Sequence, residues 1–181
     1  MAKPALCMTI KKLKEHLQKQ DQDSLLDEIL TLYKTFDFVR KYYDSRLEPR
    51  APSDIAQKYK KILEEQFCPK KGFPKLKYSV ARKAISDFKK VCADYLSILD
   101  LQLTYVEYGV KCTLDYGDID ERFYNSMESM FEKTLKDMEE YGALENFQKR
   151  CLNIRVQTQD MGWGFGDAIE GLYKDFFEKN S

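Results

Sequence analysis

Apolar side chains recur every 3.6 residues through nearly the whole chain, and no convincing alternating segment interrupts them. That period admits helices and little else, because a strand needs its apolar residues at every second position. Ile10, Leu13 and Leu17 share one face of a short first helix, with Thr9 placed to cap it. After the polar break at residues 18–22, Ser24-Leu25-Leu26-Asp27 has the form of a capping box. A second helix follows, whose Leu26, Ile29, Leu30, Tyr33 and Phe36 are expected to face inward. A third is expected from Asp37 to the Glu48-Pro49 step. A fourth opens at Pro52, with Ile55, Tyr59, Ile62, Leu63 and Phe67 as its stripe.

Cys68-Pro69-Lys70-Lys71-Gly72-Phe73-Pro74-Lys75 cannot be helical, since two prolines and a glycine break it. Beyond this loop Ser79 is expected to cap a helix bearing Val80, Ala84, Ile85, Phe88 and Val91. Asp94 caps the next, whose apolar set (Tyr95, Ile98, Leu99, Leu103, Val106, Val110) is wide enough to predict central burial. Asp118 is expected to cap a long helix that ends with Gly142 at C′. Leu144, Phe147, Cys151 and Ile154 begin another, and Asp167 is expected to cap the last, with Ile169, Leu172, Tyr173, Phe176 and Phe177. The reading is an all-α fold: a single domain of about eight short helices packed as successive antiparallel hairpins, occupying residues 9–181 behind a ragged or disordered tail at residues 1–8. A length of 181 residues is enough for one domain with a real core, and scarce glycine (eight) and proline (five) argue against a β-sandwich.

Thirty basic residues balance thirty acidic ones, which excludes a uniformly basic nucleic-acid coat. The balance hides a dipolar layout. Residues 70–90 carry eight basic side chains (Lys70, Lys71, Lys75, Lys77, Arg82, Lys83, Lys89, Lys90) and one acid, Asp87. Residues 94–145 carry thirteen acids against four bases. A basic loop feeding a helix N-terminus, with Phe73 and Tyr78 interleaved, suits a partner or phosphate contact through Lys70, Lys71, Lys75, Lys77, Arg82 and Lys83. The plainer reading is that these cations are solvated or face the acidic helices of the same fold.

Support for catalysis is thin. A single histidine, His16, sits on a charged helix, and neither a nucleophile elbow nor a phosphate-binding loop accompanies it. Asp115, Asp118, Asp120 and Glu121 do not make a calcium loop, because Gly117 and Ile119 stand where oxygen ligands belong. The five cysteines (Cys7, Cys68, Cys92, Cys112, Cys151) form no C-x-x-C pair and read as reduced thiols. No cofactor or metal is expected. Neither a signal peptide nor a membrane-spanning stretch is found, so the expected location is cytoplasmic, with no membrane partner. The run Met161-Gly162-Trp163-Gly164-Phe165-Gly166 is the most distinctive in the chain. It is expected to be a structural turn with Trp163 and Phe165 plugging the core, a ligand cradle being the alternative.

Two resemblances bear on these residues. The opening helix–break–helix is similar to the SAP-type helix–loop–helix that binds DNA, on Leu13, Leu17 and Leu26 with Lys11, Lys12 and Lys14 beside them. Any two amphipathic helices joined by a polar loop give the same spacing, so packing is the preferred role. The whole chain resembles an uncharacterised bacterial domain-of-unknown-function family (family 6155). Three segments carry the likeness: Leu13-Lys14-Glu15-His16-Leu17 with Leu30-Thr31-Leu32-Tyr33-Lys34 and Lys41-Tyr42-Tyr43; Ala81-Arg82-Lys83-Ala84-Ile85-Ser86-Asp87-Phe88-Lys89-Lys90; and Phe123-Tyr124-Asn125-Ser126-Met127. The resemblance implies an intracellular, helical, single-domain protein and carries over no activity or catalytic residue. The expectation that follows is a non-enzymatic helical module with a protein partner. A nucleic-acid binder using residues 70–90 is the alternative, and an enzyme working through a buried carboxylate near Trp163 comes third. The sequence leaves the oligomeric state open.

Overall fold

One helix of 22 residues, Tyr95–Tyr116, carries an apolar set too wide for a single face, and such a helix has to be packed on several sides. The computed structural model describes residues 10–47 and 52–178, and this helix is the spine of that region. Nine helices lie among the described residues and no strand: α1 (Ile10–Leu17), α2 (Gln22–Thr35), α3 (Asp37–Leu47), α4 (Pro52–Phe67), α5 (Tyr78–Val91), α6 (Tyr95–Tyr116), α7 (Glu121–Glu140), α8 (Leu144–Thr158) and α9 (Phe165–Phe177). The protein is an all-α single domain whose successive helices pack as hairpins. α4, α5, α7 and α8 contact the α6 spine, and α9 lies on α7 and α8. Residues 1–8, expected as a ragged tail, and the Thr9 cap lie outside the described residues.

Leu99, Leu101, Leu103, Tyr105, Val106 and Val110 of α6 are all buried, each side chain contributing about 1.5–3 kcal/mol. Tyr105 packs edge-on to Phe67 of α4 with ring centroids 4.8 Å apart, and Phe67 in turn meets Phe123 of α7 at 6.4 Å. The Tyr105 hydroxyl shares a 2.6 Å hydrogen bond with Ser126 Oγ. Arg82 of α5 lies 5.9 Å from the Tyr105 ring centroid and donates to the Ser126 carbonyl at 3.1 Å. On another side, Arg150 of α8 grips Glu107 with two bonds of 2.7 and 2.6 Å and Asp100 with one of 2.6 Å. Lys60 of α4 closes on the same Asp100 at 2.6 Å, so three helices are tied through one acidic edge of α6. Burial works against the charged guanidinium, but these carboxylates outweigh it and hold Arg150 protonated more firmly than an ordinary arginine.

The helix ends differ from the sequence expectations in instructive ways. Asp94 caps α6 as expected, accepting from the Leu96 and Ser97 amides. Asp21, not Ser24, caps α2, and Ser24 supplies the amide and hydroxyl donors. Asp120 rather than Asp118 caps α7, because the Asp118 carboxylate accepts the Tyr124 hydroxyl at 2.6 Å instead. No side chain caps α5 or α9: Ser79 and Asp167 already lie within those helices. Gly142 does hold the C′ position of α7 with φ +63°, and the Gly142→Glu139 and Ala143→Met138 backbone bonds complete a Schellman motif.

Gly166 and Gly171 on α9 give contrasting tests. A Cβ on Gly166 would stand 2.5 Å from the Thr158 carbonyl oxygen, whereas one on Gly171 meets nothing within 4 Å. Gly166→Ala is expected to cost about 2 kcal/mol by forcing α9 away from α8. Gly171→Ala is expected to gain about 0.5–1 kcal/mol from helix propensity. Urea unfolding of the two variants beside the parent checks both signs.

Candidate functional site

The second helix departs most from expectation. Its stripe was expected to face inward, yet no residue of α1 or α2 is buried. Leu26 is 55% exposed, Ile29 40%, Leu30 43% and Phe36 53%. The physical reason is the layout: α2 packs on α3, α3 packs on α5, and among the described residues no further helix packs extensively across the apolar side of α2. Each half-exposed leucine forgoes about 1 kcal/mol that burial would return.

Two clefts flank α2 and share Ile29. The larger, of about 350 Å³, is walled by Leu26, Ile29, Leu30, Tyr33, Tyr43 and Leu47. The smaller, of about 190 Å³, lies between α1 and α2 and is lined by Leu13, Leu17, Leu25, Glu28, Ile29 and Leu32. Local bonds hold this head in shape without a core of its own. Asp21 closes the first turn of α2, and Arg40 of α3 donates to the Lys34 carbonyl at its far end at 3.1 Å. The Tyr33 and Tyr43 rings meet edge to face at 6.3 Å across the α2–α3 joint. His16, the one histidine, is exposed on α1 and contacts Gln20.

The basic segment is brought together with acids more than with itself. Lys75 pairs with Glu65 at 3.0 Å, and Lys70 lies 3.9 Å from Glu64. Lys83 and Lys90 both close on Asp87. Arg82 is spent on Ser126. Among the described residues, Lys71 and Lys77 alone of the six proposed contact residues have neither a carboxylate within 4 Å nor a side-chain hydrogen bond; both are exposed. Lys61, Lys70 and Lys71 do rim a hollow of about 280 Å³, but Glu64 and Glu65 line it too and offset most of that positive charge.

Lys89 reaches Asp137 of α7 at 3.2 Å, where Lys133 (2.9 Å) and the Gln102 amide (2.9 Å) also converge. These groups border a cleft of about 380 Å³ with Tyr95 and Tyr141, whose rings stack at 5.1 Å. Burial raises the Asp137 carboxyl, but its Lys133, Gln102 and Lys89 contacts prevail and hold it below the ordinary range. The Lys133–Asp137 spacing was the only local signal of this cluster in the sequence.

In the glycine-rich turn, Phe165 is buried against Tyr124 at 5.1 Å, as expected. Trp163 is not a core plug. It takes a positive φ of 60° between Gly162 and Gly164 and is 62% exposed. Gly162 packs against Asp118, a Cβ there standing 2.9 Å from Asp118 Oδ2, and Gly164 opens α9 with φ +71°. Asp118, Asp160 and Asp167 are all exposed, opposite to the buried acid that a carboxylate mechanism at this turn requires. Cys68 is half-buried and Cys92, Cys112 and Cys151 are buried, all four as free thiols; Cys7 lies outside the described residues. Burial pushes Cys112 up to about 11 and Cys151 to about 12, which suppresses the nucleophilic thiolate. No group of three metal-ligating side chains occurs among the described residues, and no helix among them is long and apolar enough to cross a membrane.

The model of a family of unknown function (DUF6155) matches residues 8–177. The chain belongs to that family. The DUF6155 match runs from before α1 to the last residue of α9, so head and body lie within one family unit. No curated protein and no solved structure matches the chain.

Asp137 gives a pH-dependent test of the α5–α6–α7 cluster. Because its carboxyl is held low in the folded chain, its contribution is complete above the ordinary value of 3.8 and is lost as pH falls through the lower native value. Asp137→Asn is expected to cost about 1–3 kcal/mol at neutral pH. The gap to the parent should narrow on acidification, as read from urea unfolding at pH 7, 4 and ~2.5.

Proposed function

We propose that the protein is a non-enzymatic helical interaction module, in which the α4–α9 body presents the α1–α3 head to an amphipathic helical surface of a protein. One observation carries this reading: two contiguous clefts, lined together by eleven residues of which all but Glu28 are aliphatic or aromatic, are left open to water around α2. Helical partners suit such grooves, since an apolar stripe at i, i+3, i+4 and i+7 fills them along their length. Exposed apolar patches of this kind on a folded domain mark association surfaces. Free buried thiols fit a reducing compartment such as the cytoplasm. The nucleic-acid alternative draws less support, because most of the cations from residue 70 to 90 are committed to carboxylates of the same chain.

The reading is tested by capture from a nuclease-treated lysate that also contains the untagged chain. The tagged parent is compared with an Ile29→Glu/Leu30→Glu variant and a Lys71→Glu/Lys77→Glu variant. Proteins retained by the parent are expected to fall at least ~10-fold on the head variant and to stay on the lysine variant. Equal retention by parent and head variant, or retention abolished by nuclease, overturns the reading.

A further inference from the structure

We propose that the head is covered by a second copy of this chain, the α1–α2 hairpins of two copies closing into a four-helix bundle with α1 of each against α2 of the other. This inference rests on the interaction-module reading above and names its partner. Geometry permits it, because α2 is both a ridge and the wall of two clefts. Laying the Ile29 ridge of one copy into the α1–α2 cleft of the other places the second ridge in the first cleft by the same two-fold axis. Every apolar side chain around that cleft is then used twice.

Charge selects this occupant over others. α1 and the turn after it carry Lys11, Lys12, Lys14 and Lys19 against Glu15. α2 with its cap carries Asp21, Asp23, Asp27 and Glu28 against Lys34. The two helices thus bear equal and opposite net charge, and a two-fold exchange sets the basic helix against the acidic one at both crossings. Nucleic acid and anionic lipid surfaces fit less well, since Glu28 lines the α1–α2 cleft and α2 as a whole is acidic, which repels phosphate. Helix length argues the same way. Eight and 14 residues are too few for independent stability in water, and neither helix has a buried side chain of its own to hold it.

Sedimentation velocity of the full chain is the test, from ~1 to ~200 µM, the span in which a modest interface shifts from free to bound. The parent is expected to move from one chain to two across that span. Ile29→Glu is expected to remain a single chain throughout while keeping the parent's helical circular dichroism. The decisive arm exchanges charge. A Lys11→Glu/Lys12→Glu/Lys14→Glu variant and an Asp23→Lys/Asp27→Lys/Glu28→Lys variant each oppose like charges at both crossings and stay single. Their equimolar mixture restores both attractions and is expected to form a mixed pair, visible by native mass spectrometry. Misfolded variants cannot give that recovery. A parent that stays single at every concentration, or a mixture no more paired than its components, overturns the proposal. If the parent stays single yet its nuclease-resistant captures still vanish in the head variant, self-association fails and the interaction-module reading stands.

Discussion

Water is excluded from most of the middle of α6, where residues 101–106 are all buried, and that requirement organises the rest of the body. Its apolar set is too wide for one neighbour to cover, so α4, α5, α7 and α8 all pack on it, while the Asp100–Glu107 edge and the two ends stay part-exposed. The few polar groups on α6 then decide how those neighbours sit, because a buried polar atom is costly without a partner. Tyr105 fixes α7 through Ser126, Gln102 fixes it again through Asp137, and the Asp100–Glu107 edge fixes α8 through Arg150 and α4 through Lys60. Apolar burial supplies the driving force. These bonds supply the register.

Much of this was legible in the sequence because it depends on period alone. Stripe spacing and the Pro-Gly loop at residues 68–75 suffice for an all-helical chain with a central α6. Helix ends were less legible. Asp118 and Asp120 are equally good caps by local chemistry, and Tyr124 decides between them by claiming the first. Trp163 shows the same limit from another side. Composition predicts a large aromatic in the core, but a positive φ between two glycines turns it outward while Phe165 takes the buried place.

The charge layout was legible only as a list. Lys89 and Asp137 are separated by 48 positions in the chain, and nothing local says that they meet. Lys89 reaches Asp137 of the acidic α7, Lys70 and Lys75 of the loop reach α4, and Lys83 and Lys90 share Asp87 of their own helix, so much of the basic run is paired charge in space. A run of lysines therefore cannot be read as a patch until its tertiary neighbours are known.

Periodicity has a matching blind spot in α2. An apolar stripe tells that a helix has something to cover it, and leaves open whether that cover is part of the same chain. In α5 and α7 the stripe meets α6, and the residues are buried as their spacing predicts. In α2 the same kind of stripe meets, among the described residues, no extensive packing beyond the flanking α1 and α3, although the family match includes it along with the body. The stripe of α6 thus has its cover within the chain while that of α2 is half open, and the proposed interaction module rests on that contrast. In that proposal the α4–α9 body rests on its own core and the head gains burial when a partner arrives. The proposed occupant follows from charge as well as from the cleft, since an apolar cleft alone would accept almost any helix, whereas a basic α1 beside an acidic α2 favours a complement that offers both signs.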